Sequence, residues 1–243
     1  MSSETLTHPD VAPAPTRRQR RTRFRGDIEG LRALAVVLVV AFHAGVGAVT
    51  GGFVGVDVFF VLSGFLITGL LVDEMARTGT ISLGDFYARR VRRLLPLATL
   101  VLAATAAATY ALVPPIDRKG VAGDIIGSAL WSANWRFAAE STQYMADTDK
   151  SPVLHYWSLA VEEQFYVLWP WLFVVWAWSR RSSRRRTPSG STTTRPGTGR
   201  TALLVVVLAA TAASFGASVA ETELRQGWAY FSFQSRAWEL GVG

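Results

Sequence analysis

The chain has 243 residues, half of them apolar, with no cysteine and only 18 % charged side chains, against roughly a quarter in soluble domains. Its formal charge of +7 is almost wholly arginine, since Lys119 and Lys150 are the only lysines. The arginines stand in patches between long apolar runs, which excludes a soluble nucleic-acid binder and points to a polytopic membrane protein, while the missing cysteines exclude disulfide and thiolate chemistry.

In chain order, residues 1–26 form a polar, basic tail holding Arg17, Arg18, Arg20, Arg21, Arg23 and Arg25. The first apolar run, 31–49, lacks a small-residue cleavage exit and reads as a retained span rather than a leader. Further runs at 54–72, 94–113, 154–178 and 201–220 reach the ~20 residues needed to cross ~30 Å of hydrocarbon. A sixth begins near Tyr230 and is cut off by the chain end. The connecting segments alternate in charge. Segment 73–93 carries Arg77, Arg89, Arg90, Arg92 and Arg93, and 179–200 is rich in Arg, Ser, Thr, Pro and Gly, whereas 49–53 and 221–227 are near neutral. The expected fold is an all-α transmembrane helix bundle with five to six spans present, its N-terminus and every Arg-rich segment cytoplasmic, and 179–200 a flexible cytoplasmic loop. In the mixed segment 114–152, "VAGDIIGSALWSANWRF" suits an interfacial or re-entrant helix.

Ionisable residues inside apolar runs are costly and mark candidate sites. Arg32 and His43 are eleven residues apart, hence on one helical face and ~16 Å apart along the axis. With Arg32 at the cytoplasmic edge, as an anchor or a site residue, His43 falls near mid-membrane. A hairpin centred near Thr50 sets Asp57 level with His43. Asp57 is then expected to accept a bond from one imidazole nitrogen and leave the other as a base, or else to cap its helix at the interface. Ser63 and Gly64 sit mid-helix, where small residues serve close packing as readily as a site. Arg89, Arg90, Arg92 and Arg93 suit phosphate binding or a topology patch. His155, Glu162 and Tyr166 share one face if the span starts at 154, which is the register adopted and puts Glu162 and Glu163 inside the bundle; a start near 164 leaves them interfacial. Pro170 is a candidate kink, and Trp157, Trp169, Trp171, Trp176 and Trp178 read as belt and packing residues. Arg236 and Glu239, three apart, suit a same-face ion pair. No metal site is expected.

Five stretches in order carry a family resemblance: Arg32-x10-His43, then Phe59-Phe60-x-x-Ser63-Gly64, the R-x-x-R element readable as Arg89/Arg92 or Arg90/Arg93, "LHYWSLAVEEQFYVLWP", and "SRAWELGVG". Together they resemble the acyltransferase-3 family of bacterial integral-membrane acyltransferases of the O-antigen acetylase type. The resemblance implies about ten spans, so that 27–243 is the N-terminal part of such a domain. It implies transfer of an acyl group, usually acetyl from acyl-CoA, to a hydroxyl of a cell-envelope or lipid-linked glycan, with no permanently bound cofactor. His43 is then the general base, with Asp57, Glu162 and Glu163 beside it in catalysis. Arg32, Arg89, Arg90, Arg92 and Arg93 bind the donor. Ser63, His155, Tyr166, Arg236 and Glu239 are substrate-binding or structural. A histidine-linked acyl intermediate and direct attack both stay open. The rival readings are a proton-coupled transporter using the same His, Asp and Glu residues, and an inactive fragment.

Overall fold

Hydropathy and turn chemistry place the helix ends. Ser82 caps the third helix, its Oγ accepting from Asp85 N. Gly79, at φ +70°, closes the second helix in the left-handed conformation that glycine tolerates, its N–H on Met75 O. Pro115 opens the fourth at a position where no N–H is needed. The structure, a computed structural model, describes residues 25–141, 151–186 and 198–243, and the side chains of these except 180–186 and 198–200. Among them are nine α-helices and no strand. They are α1 (Gly26–His43), α2 (Gly55–Thr78), α3 (Leu83–Leu112), α4 (Pro115–Ala129), α5 (Ala133–Ser141), α6 (Tyr156–Arg186), α7 (Thr198–Leu224), α8 (Gln226–Phe231) and α9 (Phe233–Val242), with a 3-10 turn at Gly52–Val54 before α2.

The fold is all-α, as expected. Three helices are long and apolar enough to cross a membrane: Gly52–Thr78, Leu83–Leu112 and Thr201–Leu224. α1 is shorter, at 18 residues with Asp27, Glu29 and Arg32 in its first half, and α6 carries Glu162 and Glu163. The basic tail over 1–24 and the middle of the expected loop, 187–197, lie outside the described residues. That loop is narrower than 179–200, because α6 continues to Arg186 and α7 starts at Thr198.

Side-chain contacts set the directions. α6 runs parallel to α2, with Trp157 against Phe60 and Trp169 Nε1 donating to Thr68 Oγ1. It runs antiparallel to α3, with the Tyr87 hydroxyl donating to Val167 O and the Tyr156 hydroxyl to Ala98 O. α9 also runs parallel to α2, and α7 and α9 form an antiparallel pair in which Ser214 bonds Gln234 O and Trp238 N. The α2–α3 link and the end of α6 therefore share one Arg-rich end. The α1–α2, α3–α4 and α7–α9 links share the other.

Residues 121–137, expected to form an interfacial or re-entrant helix, form a hairpin of two helices instead of one. α4 turns back along α3, Ile125 and Ser128 facing Leu102 and Ala98. The chain reverses at Trp131, whose φ is +55°, and α5 returns. Backbone groups at such a reversal within the protein need partners. Gln164 Nε2 supplies them at 2.8 Å to both Trp131 O and Asn134 Oδ1. Arg136 ties the hairpin internally to Asp124 at 2.6 Å and Glu140 at 2.7 Å. Aromatic residues of α2, α5, α6 and α8 fill the core. Trp157 and Trp169 are packing residues within it, whereas Trp171 and Trp178 are exposed.

Candidate active site

α1, α2, α3 and α6 enclose a cavity of about 260 Å³ lined by Arg32, Ser63, Arg90, Arg93, Glu162, Glu163 and Tyr166, among apolar neighbours. α6 starts at Tyr156, so the register is the one that sends both glutamates into the bundle. Glu162, 7 % exposed, accepts the Tyr166 hydroxyl at 2.5 Å. Arg90 lies 3.2 Å over the Tyr166 ring and 3.8 Å from Glu163 Oε1. Arg32 stacks on Phe59 at 4.9 Å. Arg32 Nε, Arg90 Nε and Glu163 Oε1 are buried without hydrogen-bond partners. Each such atom costs about 1–3 kcal/mol until something meets it. Three guanidiniums against two carboxylates leave the cavity net positive, suited to an anionic ligand with acceptor atoms.

Geometry separates the two pairs that the R-x-x-R element allows. Arg90 and Arg93 line the cavity. Arg89 faces out toward Glu74 at 3.7 Å, and Arg92 Nε donates to Ala88 O of its own helix at 3.1 Å. His155 departs from its expected place. It lies in the exposed turn before α6, so it does not share a helical face with Glu162 and Tyr166, which are bonded to each other.

The first hairpin also departs from expectation. Gly52 packs on the Leu38 carbonyl, Gly55 on the Ala35 carbonyl, and Arg32 on Phe59; a Cβ at either glycine would collide. Link residues and the 3-10 turn fold back on α1, so Asp57 is level with residues 33–34, about nine residues or ~14 Å from His43. The expected His43–Asp57 bond is therefore not formed. Arg32, expected at the membrane edge, is the interior residue, its side chain 19 % exposed. His43 is the exposed last residue of α1. Its Nδ1 is 2.8 Å from Val39 O. A carbonyl only accepts, so in the neutral ring Nδ1 holds the proton and Nε2 is the free base. The hydrogen bond to Nδ1 expected from Asp57 is made by this backbone carbonyl instead.

Asp57 meets Arg236 instead, at 3.0 Å through Nη1. The expected Arg236–Glu239 pair forms at 2.5 Å. Arg236 Nε donates to Tyr230 O, and the Trp157 and Tyr230 rings flank the guanidinium at 5.5 and 5.0 Å. Sequence reading did not bring Asp57 to Arg236, 179 positions away, nor Gln164 to the hairpin tip. No local pattern signals either contact.

Residues 25–238 match the family described as an acyltransferase domain. The chain belongs to that family. This acyltransferase-domain chain is 40 % identical to the peptidoglycan O-acetyltransferase OatA of Listeria monocytogenes (serovar 1/2a) over 149 residues, 61 % of this chain and 24 % of that protein. It is 40 % identical over 167 residues to YrhL of Bacillus subtilis (strain 168), provisionally named a peptidoglycan O-acetyltransferase, covering 67 % of this chain and 26 % of YrhL. A provisionally named O-acetyltransferase of Staphylococcus aureus (strain MSSA476) is 40 % identical over 155 residues, 64 % of this chain and 26 % of that protein. The acyltransferase-domain chain thus spans about a quarter of the length of the curated relatives it matches. No solved structure matches it.

Proposed function

We propose that this chain is part of an O-acyltransferase of the cell membrane that moves an acetyl group from acetyl-CoA to a hydroxyl of a cell-envelope glycan such as peptidoglycan. The relatives' names support the acetyl group and the glycan. The observation that carries the donor is the net-positive cavity with unmet Arg32 and Arg90 nitrogens. Arg90 and Arg93 take the CoA phosphates, since guanidinium forks bind phosphate bidentately. The pantetheine arm then runs past Ser63 and Arg32, whose Nε meets an amide oxygen of the arm, toward the His43 end. The Arg-rich end is cytoplasmic by the positive-inside rule, which is where CoA resides.

At the other end His43 Nε2 takes the proton of the acceptor hydroxyl. The hydroxyl oxygen forms the new C–O bond, the C–S bond breaks, and the thiolate takes a proton. Glu162 and Glu163 hold Tyr166 and Arg90 in place, so in this reading they are positioning residues.

The test is equilibrium binding of acetyl-CoA to the purified protein, with transfer of labelled acetyl to a peptidoglycan fragment measured alongside. Binding that weakens at least about tenfold, ~1.4 kcal/mol, in Arg93→Ala supports the donor site. Equal binding in wild type and variant overturns it.

A further inference from the structure

One ion pair in the wall of the cavity is held open. Arg90 Nε of α3 and Glu163 Oε1 of α6 stand 3.8 Å apart, a full ångström beyond a charge-assisted hydrogen bond, and neither atom has a partner. Both side chains still present a face to the cavity, at 21 % and 15 % exposure. Their neighbours are engaged elsewhere. Arg90 lies 3.2 Å over the Tyr166 ring, and the Tyr166 hydroxyl is bonded to Glu162. On the far side of the pair, the Tyr87 hydroxyl donates to Val167 O, and Gln164 Nε2 donates to Trp131 O and Asn134 Oδ1. The gap calls for one atom that accepts from Arg90 and donates to Glu163. A phosphate oxygen only accepts, an ammonium only donates, and a trans amide points its N–H and C=O in opposite directions. A hydroxyl oxygen does both, at ~2.8 Å to each partner once the two side chains part slightly.

We infer that Arg90 Nε and Glu163 Oε1 read the hydroxyl of the pantoyl group of CoA, Arg90 donating to its oxygen and Glu163 accepting from it, so that Glu163 selects the donor as well as holding Arg90. This rests on the donor site of the proposed function. There the diphosphate sits on the outer nitrogens of Arg90 and Arg93, and the arm runs inward past Ser63 and Arg32. The pantoyl hydroxyl is the first polar group on that arm, a few bonds beyond the phosphate, and so meets the Arg90 side chain at Nε, inward of the outer nitrogens. The carbon beside it carries two methyl groups, and Ile67, Leu70 and Leu94 line the cavity there. The other free hydroxyl of CoA is on the ribose, across the diphosphate from the arm. The hydroxyls of the glycan acceptor meet the protein at the His43 end.

The probes are acetyl-CoA and the analogue in which hydrogen replaces the pantoyl hydroxyl, each titrated into the purified protein. The analogue leaves a buried donor and a buried acceptor unmet, so wild type is expected to bind it at least about tenfold more weakly. Glu163→Ala is expected to bind the two ligands alike. Should that variant fail to fold, Glu163→Gln decides, because it keeps the shape of the side chain and an acceptor oxygen but loses the charge. Its selectivity is expected to fall at least about threefold, charge-assisted bonds being roughly twice as strong as neutral ones. Equal wild-type affinity for the two ligands, the result if only water bridges the pair, overturns the hydroxyl contact and leaves the donor reading standing. Wild-type selectivity retained in a folded Glu163 variant does the same. A wild type that binds neither ligand overturns the donor reading and this contact with it.

Discussion

Arg90 and Arg236 are both half-buried among carboxylates and aromatic rings, yet they sit in opposite settings. Arg90 borders a cavity with Arg32 and Arg93, where three guanidiniums face two carboxylates and two nitrogens, Arg32 Nε and Arg90 Nε, are unmet against one oxygen, Glu163 Oε1. Arg236 serves two carboxylates with one nitrogen while an acceptor oxygen goes unmet. The lesson is that an intramembrane arginine is not a role in itself. The unmet atoms around it decide what the site can still bind.

The largest expected effect separates the two ends of the molecule. His43→Ala should cut acetyl transfer by about 10²–10⁴-fold, the range for a lost general base, with acetyl-CoA affinity unchanged in a binding titration. If affinity falls in parallel, His43 belongs to the donor site and the division between the ends fails. Next is Arg90→Ala, which leaves Glu163 buried without its cation and Tyr166 without its stacking partner. A loss of about 3 kcal/mol in stability is expected, read as a lowered unfolding temperature in detergent. An unchanged unfolding temperature would show the Arg90 cluster to be energetically idle.

Gly64→Ala sharpens the other half of the comparison. An added Cβ would strike the Leu240 carbonyl, so α9 must shift off α2. The expected cost is about 1–3 kcal/mol, read as a lowered unfolding temperature in detergent as Arg236 moves away from Asp57. The smallest effect belongs to Arg92→Ala. Its side chain faces outward, so stability should change by no more than about 0.5 kcal/mol, and acetyl-CoA binding should match wild type. A large loss there would favour the Arg89/Arg92 reading of the R-x-x-R element over Arg90/Arg93.

Much of the fold was legible in the residues. Hydropathy located the helices, arginine alternation agreed with their directions, and the apolar, aromatic composition of 121–137 marked a helical segment there. The local Arg236–Glu239 pair followed from spacing alone. Other features were out of reach for physical reasons. The register of the α1–α2 hairpin depends on Gly52 and Gly55 letting backbones touch, and hydropathy is blind to that contact. Asp57 and Arg236 meet because α9 runs beside α2, a pairing that no short window contains. His155 failed as a helix-face residue because α6 begins one position after it.

By itself the amino-acid sequence determined which segments are helical, which are apolar enough for lipid, and which family motifs they bear, since these are properties of neighbours along the chain. The tertiary structure alone decided that Arg32 is interior and His43 terminal, that Arg90 and Arg93 turn inward while Arg89 and Arg92 turn out, and that one guanidinium serves Asp57 and Glu239. Depth and partnership depend on how far helices slide past one another, and that sliding is set by contacts between segments far apart in the chain.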